Sequence, residues 1–268
     1  MDDLAEKRVY DGRTGDRTLV VAAASGLVTV RVADGRVGEF GLARDCAPSD
    51  LERAIDPHDR LVVATDEDVL LADPADVERL EGIGFGPSTA VTFLDGEPLA
   101  AGPDGRLARY ADASWDPIGE LPAPATALDG ALVGTAEGVL RLVDGALRPA
   151  GLAEVRDVGR AAGMPLVATA DGLYELGNGW LDALDGAFDL VAGAPDGRAH
   201  AAGAGGCYAR RDGGWERLEL PVDDAVVAAA YGPRTYLLTA AGDLLVDGEA
   251  GWRRHPLGLS GVVAAAVC

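Results

Sequence analysis

Apolar residues in this chain come in short runs, and the runs break at turns that recur. Seven times an apolar run meets a two- or three-residue turn and a second apolar run follows; the turns end at Gly26, Asp68, Gly105, Gly138, Gly172, Gly206 and Gly242. Two strands joined by so tight a turn form a β-hairpin. Hairpins recurring every 33 to 42 residues mark a repeat architecture, and a β-propeller fits that period.

Aligned on their turns, the hairpins cover residues 19–32, 61–72, 99–110, 131–143, 165–176, 198–210 and 235–246. Their two strands are B and C. The most regular copies contain the corners Glu137-Gly138 and Asp171-Gly172, where glycine is expected to supply the positive φ of a tight turn. After strand C comes a second turn and a short strand D, opened in four copies by Trp115, Trp180, Trp215 or Trp252. Before the later hairpins lies one more apolar segment, as in residues 89–94, 155–161, 188–194 and 225–231, which reads as an innermost strand A. The chain finishes on a strand A, residues 262–267, with no hairpin after it, whereas the first hairpin lacks a strand A before it. The expectation is therefore an all-β propeller of seven four-stranded blades in one domain, residues 1–268, closed by pairing the C-terminal strand with the first blade. The second copy is the least regular. A misreading there, or a strand at Val9-Tyr10, would make the ring six- or eight-bladed. The small residues Ala228–Ala230 and Ala264–Ala266 predict a narrow central channel.

Charge narrows the partners. The formal net charge is -21, from 44 acids against 23 bases, and Lys7 is the only lysine. Such a surface repels itself in dilute buffer and is screened near 1 M salt, where the Debye length is about 3 Å. The composition predicts a salt-rich cytoplasm, and with no basic stripe to displace phosphate counterions it argues against nucleic acid. The charged first residues read as neither a secretory signal nor a lipidation sequence, and residues 262–268 are too few to span a bilayer. A cytoplasmic monomer, not bound to membranes, is expected. Cys46, Cys207 and Cys268 are odd in number and far apart, which supports neither a disulfide framework nor a zinc site. His58, His200 and His255 share no ligand spacing, so neither metal nor cofactor is predicted.

Two groups of residues stand out as candidate sites. Asp66, Glu67, Asp68, Asp104, Glu137 and Asp171 sit in the B–C turns of adjacent blades, which project on one propeller face. A ring of carboxylates at a channel mouth suits a hard cation or a cationic ligand, although acids are also ordinary turn residues. The segment 41–50 reads as the longest D–A loop and carries Arg44, Asp45 and Cys46; Phe85 lies among glycines in the loop 82–88. Long loops on a rigid ring are where binding residues gather, and Phe85 is read as either a partner contact or a plug filling the channel. No phosphate loop, nucleophile elbow or zinc-protease helix is present.

The turns before the four tryptophans, such as Asp112-Ala113-Ser114-Trp115 and Asp212-Gly213-Gly214-Trp215, resemble degenerate Asp-box turns of sialidase-like propellers and lack that motif's Ser and Thr. They imply fold and no catalysis. Lys7-Arg8-Val9-Tyr10, Val37-Gly38-Glu39-Phe40-Gly41-Leu42 and the acid-rich repeats resemble a haloarchaeal β-propeller family, within the WD40/YVTN-like or Asp-box-like propellers. That resemblance implies the fold and a halophilic source and carries no reaction. The leading expectation is a non-enzymatic scaffold offering one face, centred on the Arg44 loop and Phe85, to a protein or small ligand. The alternative is a hydrolase, lactonase or lyase with carboxylates and a divalent ion at the channel mouth, which would require convergent polar groups with perturbed pKa values.

Overall fold

The computed structural model describes residues 17–55, 57–249 and 251–268. Its strands form seven four-stranded antiparallel sheets, each running A to D from the centre outward. Blade 1 consists of Ala264–Val267, Arg17–Ala23, Gly26–Ala33 and Arg36–Arg44. The C-terminal strand is the innermost strand of the first blade, as expected, with Leu19 opposite Val267 and Ala22 opposite Ala264. Arg53 of blade 2 donates to the carbonyl of Val267, which fixes the seam from the neighbouring blade. The innermost strands of blades 2 to 7 are Pro48–Ala54, Ala90–Leu94, Ala125–Asp129, Val155–Ala161, Phe188–Gly193 and Val226–Tyr231. Blade 2 is the irregular one: a 3-10 turn, Val77–Arg79, replaces most of its strand D, which is only Glu81–Gly82. Val9-Tyr10 lies outside the described residues.

The core lies in the seams between blades, because each sheet buries both faces against its neighbours. Between blades 7 and 1, Leu19, Val21, Val28 and Val30 meet Tyr236, Leu238, Leu244 and Val246. Between blades 1 and 2, Val20, Ala22 and Leu27 meet Leu51, Leu61 and Val63. Successive residues of one strand thus serve opposite seams, as period-2 alternation requires, and each fully buried leucine contributes about 1.5–3 kcal/mol.

The B–C turns and D–A connections share a face and hydrogen-bond to one another. Ala24 N donates to Ser260 O, Asp66 N to Ala47 O, Glu154 N to Ala136 O and Gly186 N to Asp171 O. Four blades add a buried threonine at the end of strand B. Thr65, Thr135 and Thr169 each donate through Oγ1 to the carbonyl that closes the turn, and Thr239 Oγ1 accepts from Asp243 N. The glycine expectation holds at one of the two regular corners. Gly138 has φ +143°, and a Cβ there would lie 2.7 Å from the carbonyl of Leu152; Gly172 does not adopt positive φ. The Thr169 hydrogen bonds shape that second corner without it.

Two sequence expectations fail. The supposed long loop 41–50 is mostly strand: blade 1 continues to Arg44 and blade 2 begins at Pro48, leaving residues 45–47 as a short link. The alternation in 41–50 was hidden by its charged residues. The channel is also not lined by small residues throughout, since blades 2 and 5 place Asp50, Glu52, Asp157 and Arg160 on their innermost strands.

Candidate functional site: an acidic channel

Each of the innermost strands of blades 2, 4 and 5 begins with a β-bulge, between Pro48 and Asp50, Ala125 and Ala127, and Val155 and Asp157. The bulge sets a common register, so Asp50 and Asp157 occupy equivalent positions. Their carboxylates make equivalent bonds. Asp50 Oδ1 accepts from Leu51 N at 2.8 Å and Oδ2 from Val91 N of blade 3 at 3.0 Å. Asp157 Oδ1 accepts from Val158 N at 2.9 Å and Oδ2 from Val191 N of blade 6 at 2.8 Å. Each carboxylate therefore ties one innermost strand to the next.

Two residues further along, Glu52 and Asp129 again occupy equivalent positions, opposite Val62 and Leu132. Asp129 Oδ1 accepts from Arg160 Nε at 2.6 Å, and Arg160 Nη2 lies 2.5 Å from the same oxygen. Thr92 of blade 3, fully buried, accepts from Gly130 N at 2.8 Å and lies beside Glu52. Four carboxyl groups thus share the channel with the guanidinium of Arg160. Arg53, at the position equivalent to Arg160, is already held by Asp59 at 2.7 Å.

The four acids keep some contact with channel water, yet protein encloses them closely. Burial is the largest influence on all of them. It pushes Asp50 up to about 6, against its two backbone donors. Glu52 rises to about 8 through burial and then the charge of Asp129. Asp157 rises to about 8 through burial, with the charges of Asp50 and Asp129 adding to it. Asp129 is raised by burial and pulled back by Arg160. At neutral pH Glu52 and Asp157 therefore retain protons, while Arg160 opposes the rise at Asp129.

The acids picked out from the turns have other surroundings. Asp66, Glu67, Asp104, Glu137 and Asp171 are exposed. Asp171 accepts from Thr169 Oγ1 at 2.6 Å, and Asp104 accepts from Arg106 N at 3.2 Å. Asp68 is a structural hub: Oδ1 accepts from Val69 N and Gly86 N, and Oδ2 from Gly84 N, all within 2.9 Å. Among the described residues no three Asp, Glu, His or Cys side chains converge to hold a metal ion.

Arg44 and Asp45 are exposed at the short link, while Cys46 packs in the seam of blades 1 and 2. Phe85 is 5% exposed in the next seam, between blades 2 and 3. Its ring lies 4.7 Å from that of Trp115 and 4.2 Å beneath the Arg106 guanidinium, and Arg106 also donates to the Phe85 carbonyl. Phe85 thus neither plugs the channel nor presents its ring at the surface, and it does not join the Arg44 link. Burial raises the pKa of Cys46, opposing nucleophilic use. His200, whose Nδ1 lies 3.0 Å from the Tyr231 hydroxyl, is pushed down to about 4 by burial.

Sequence reading missed Asp50, Glu52, Asp129 and Asp157. For Asp157 the signal was available, a carboxylate at the third position of a segment, residues 155–161, that reads as an innermost strand.

The chain matches, over residues 3–268, the family described as Beta-prop_HVO_0234:-like, beta propeller. It belongs to that family. No curated protein matches it in sequence. Solved structures resemble it in fold alone. "YCF48 bound to D1 peptide" has a TM-score of 0.60 at 18% identity, covering 78% of this chain and 82% of that one. The computationally designed Ika8 protein has a TM-score of 0.61 at 15% identity, covering 94% and 91%. "Crystal structure of Nidogen/Laminin Complex" has a TM-score of 0.55 at 10% identity, covering 94% and 98%. No helix among the described residues is long and apolar enough to cross a membrane.

Proposed function

We propose that this family member is a non-enzymatic binding scaffold that receives a cationic group of a protein or small ligand, an arginine or lysine side chain or an amine, in its central channel. The observation carrying this reading is the excess of carboxyl groups over Arg160: Asp129 lies close enough to raise the pKa values of Asp50, Glu52 and Asp157, and Asp50 those of Glu52 and Asp157. An entering cation supplies the missing counter-charge and favours ionisation of Glu52 and Asp157. The chemistry is that expected for the turn acids, moved inward to the innermost strands. Exposed Asp66, Glu67 and Glu137 add negative potential at the face nearer Asp50 and Asp157, drawing cations toward the mouth. In a salt-rich cytoplasm, which the composition favours, exposed charges are screened more strongly than enclosed ones, so recognition by an enclosed site survives.

A second reading has a specific observation behind it. Glu52, kept protonated by burial, stands beside Asp129, whose ionisation Arg160 favours; paired carboxyls of unlike environment suit a general acid and base, which keeps a hydrolase or lyase in play.

Titration with an end-blocked Gly-Arg-Gly peptide distinguishes the readings. The scaffold reading expects binding that tightens from about pH 5 to about pH 9 as the acids ionise and that weakens in Glu52→Gln and Asp157→Asn. Peptide binding that is absent, or indifferent to both substitutions, rejects it. Turnover of ester or lactone probes lost in Glu52→Gln supports the second reading instead.

A further inference from the structure

The open edge of a sheet is a row of unpaired N–H and C=O groups, which proteins blunt with charge, proline or shortness. Six of the seven outer strands are blunted in this way. Blade 2 ends in Glu81–Gly82; blades 3, 4 and 7 end in Ser114–Glu120, Ala146–Gly151 and Arg253–Pro256, which contain Pro117, Pro149 and Pro256. In blade 5, Trp180–Asp185 carries Asp182 and Asp185 beside the exposed Leu181, and blade 6 has only Gly214–Arg217, with Glu216 and Arg217.

Blade 1 departs from this pattern. Its outer strand Arg36–Arg44 runs nine residues, the longest of the seven, without proline, and its charges, Arg36, Glu39 and Arg44, leave residues 40–43 uncharged. Phe40 and Leu42 on it are 49% and 57% exposed. Gly41 has no atom near the position of its missing side chain, leaving the strand open to approach.

Register assigns the two sides of this edge. Phe40 lies opposite Val30 and Leu42 opposite Val28, residues of the seam with blade 7. Both therefore project on that side, where the outer strand of blade 7 has only four residues. Arg36 lies opposite Ala33 and Arg44 opposite Leu27, so both project toward blade 2, the side Arg31 shares. Among the described residues Arg31, Arg36 and Arg44 have no carboxylate within ion-pair distance. Acids outnumber bases 44 to 23 in the chain, whereas residues 31–45 balance Arg31, Arg36 and Arg44 against Asp34, Glu39 and Asp45, and those three arginines are left to meet acids from outside.

We propose that the outer edge of blade 1 binds an extended segment of a partner protein in which apolar and acidic residues alternate. The segment adds as a further strand. Its backbone pairs with residues 36–44, its apolar side chains cover Phe40 and Leu42, and its acidic side chains meet Arg31, Arg36 and Arg44 on the opposite side. A second copy of this chain fits poorly, because antiparallel pairing centred on Phe40 sets Arg36 against Arg44 and brings together two bodies of charge -21. This surface uses none of the channel residues, so it stands or falls apart from the channel reading.

The test uses a labelled, end-blocked peptide alternating leucine and aspartate and a second peptide of the same composition in scrambled order, each titrated by fluorescence anisotropy. The alternating peptide is expected to bind on the order of tenfold more tightly than the scrambled one. Phe40→Ser with Leu42→Ser, and separately Arg36→Ser with Arg44→Ser, are expected to abolish that preference, while Leu181→Ser on blade 5 leaves it unchanged. Bound peptide should also slow hydrogen exchange within residues 36–44. Equal binding of the two peptides, an equal loss in Leu181→Ser, or a wild-type dimer in sedimentation that Phe40→Ser dissociates would each overturn the proposal.

Discussion

At the scale of single residues, the most conspicuous side chains work as fasteners. Trp115, Trp180 and Trp215 each donate an indole hydrogen bond to the preceding blade or its outgoing link, at Ile83 O, Ala150 O and Glu175 Oε1. Trp252 packs in the seam of blades 6 and 7. Replacing Trp180 by Phe removes both the bond to Ala150 and part of the packed indole, and chemical denaturation should register a loss of about 1–3 kcal/mol. Asp68 carries more. Asp68→Ala leaves the amides of Val69, Gly84 and Gly86 without their acceptor; stability is expected to fall by about 2–3 kcal/mol, with faster hydrogen exchange at Gly84 and Gly86. The tryptophans were legible in sequence because they recur in register. Asp68 was visible only as a turn acid, since its partners lie 16 and 18 residues away and no local pattern points to them.

At the scale of strands and blades, the hairpins were legible because period-2 alternation and tight turns both act over a few residues. The C-terminal strand was legible because a strand A without a hairpin has one place to go. Blade 2 was harder to read. In Ser49-Asp50-Leu51-Glu52 the alternation survives, but carboxylates occupy the positions of Leu190 and Ala192 in blade 6 and of Ala228 and Ala230 in blade 7, and a charged segment resembles a loop. Tertiary context decides the matter, because Val91 N and Thr92 lie beside those acids. The channel could therefore be recognised only once the register of three separate blades was known. The seam makes its own prediction. Ala266→Pro removes the N–H that pairs with Val20 across the seam and should cost about 1–3 kcal/mol, read as a lowered unfolding midpoint. An unchanged midpoint would mean that the ring does not depend on this closure.

At the scale of the whole molecule, two electrostatic effects act together. The net charge of -21 makes the fold repel itself, so the thermal midpoint should fall steeply as salt is removed; a midpoint indifferent to salt would reject the salt-adapted reading. The channel acts through protons. Folded pKa values of about 6 for Asp50 and about 8 for Glu52 and Asp157 lie above the unfolded values, so the native state binds more protons than the unfolded chain between about pH 4 and about pH 8. Stability from this source is complete below that window and declines as pH rises through it, and Glu52→Gln should flatten the decline. A bound cation opposes the same decline by stabilising the ionised acids.

The most direct test of the channel account is a carbon-detected NMR titration of the Asp50, Glu52 and Asp157 carboxyl groups, with and without the blocked arginine peptide. The account predicts midpoints of about 8 for Glu52 and Asp157, moving toward ordinary carboxylate values when the peptide binds. Ordinary midpoints of about 4 in the free protein, unmoved by the peptide, would contradict it.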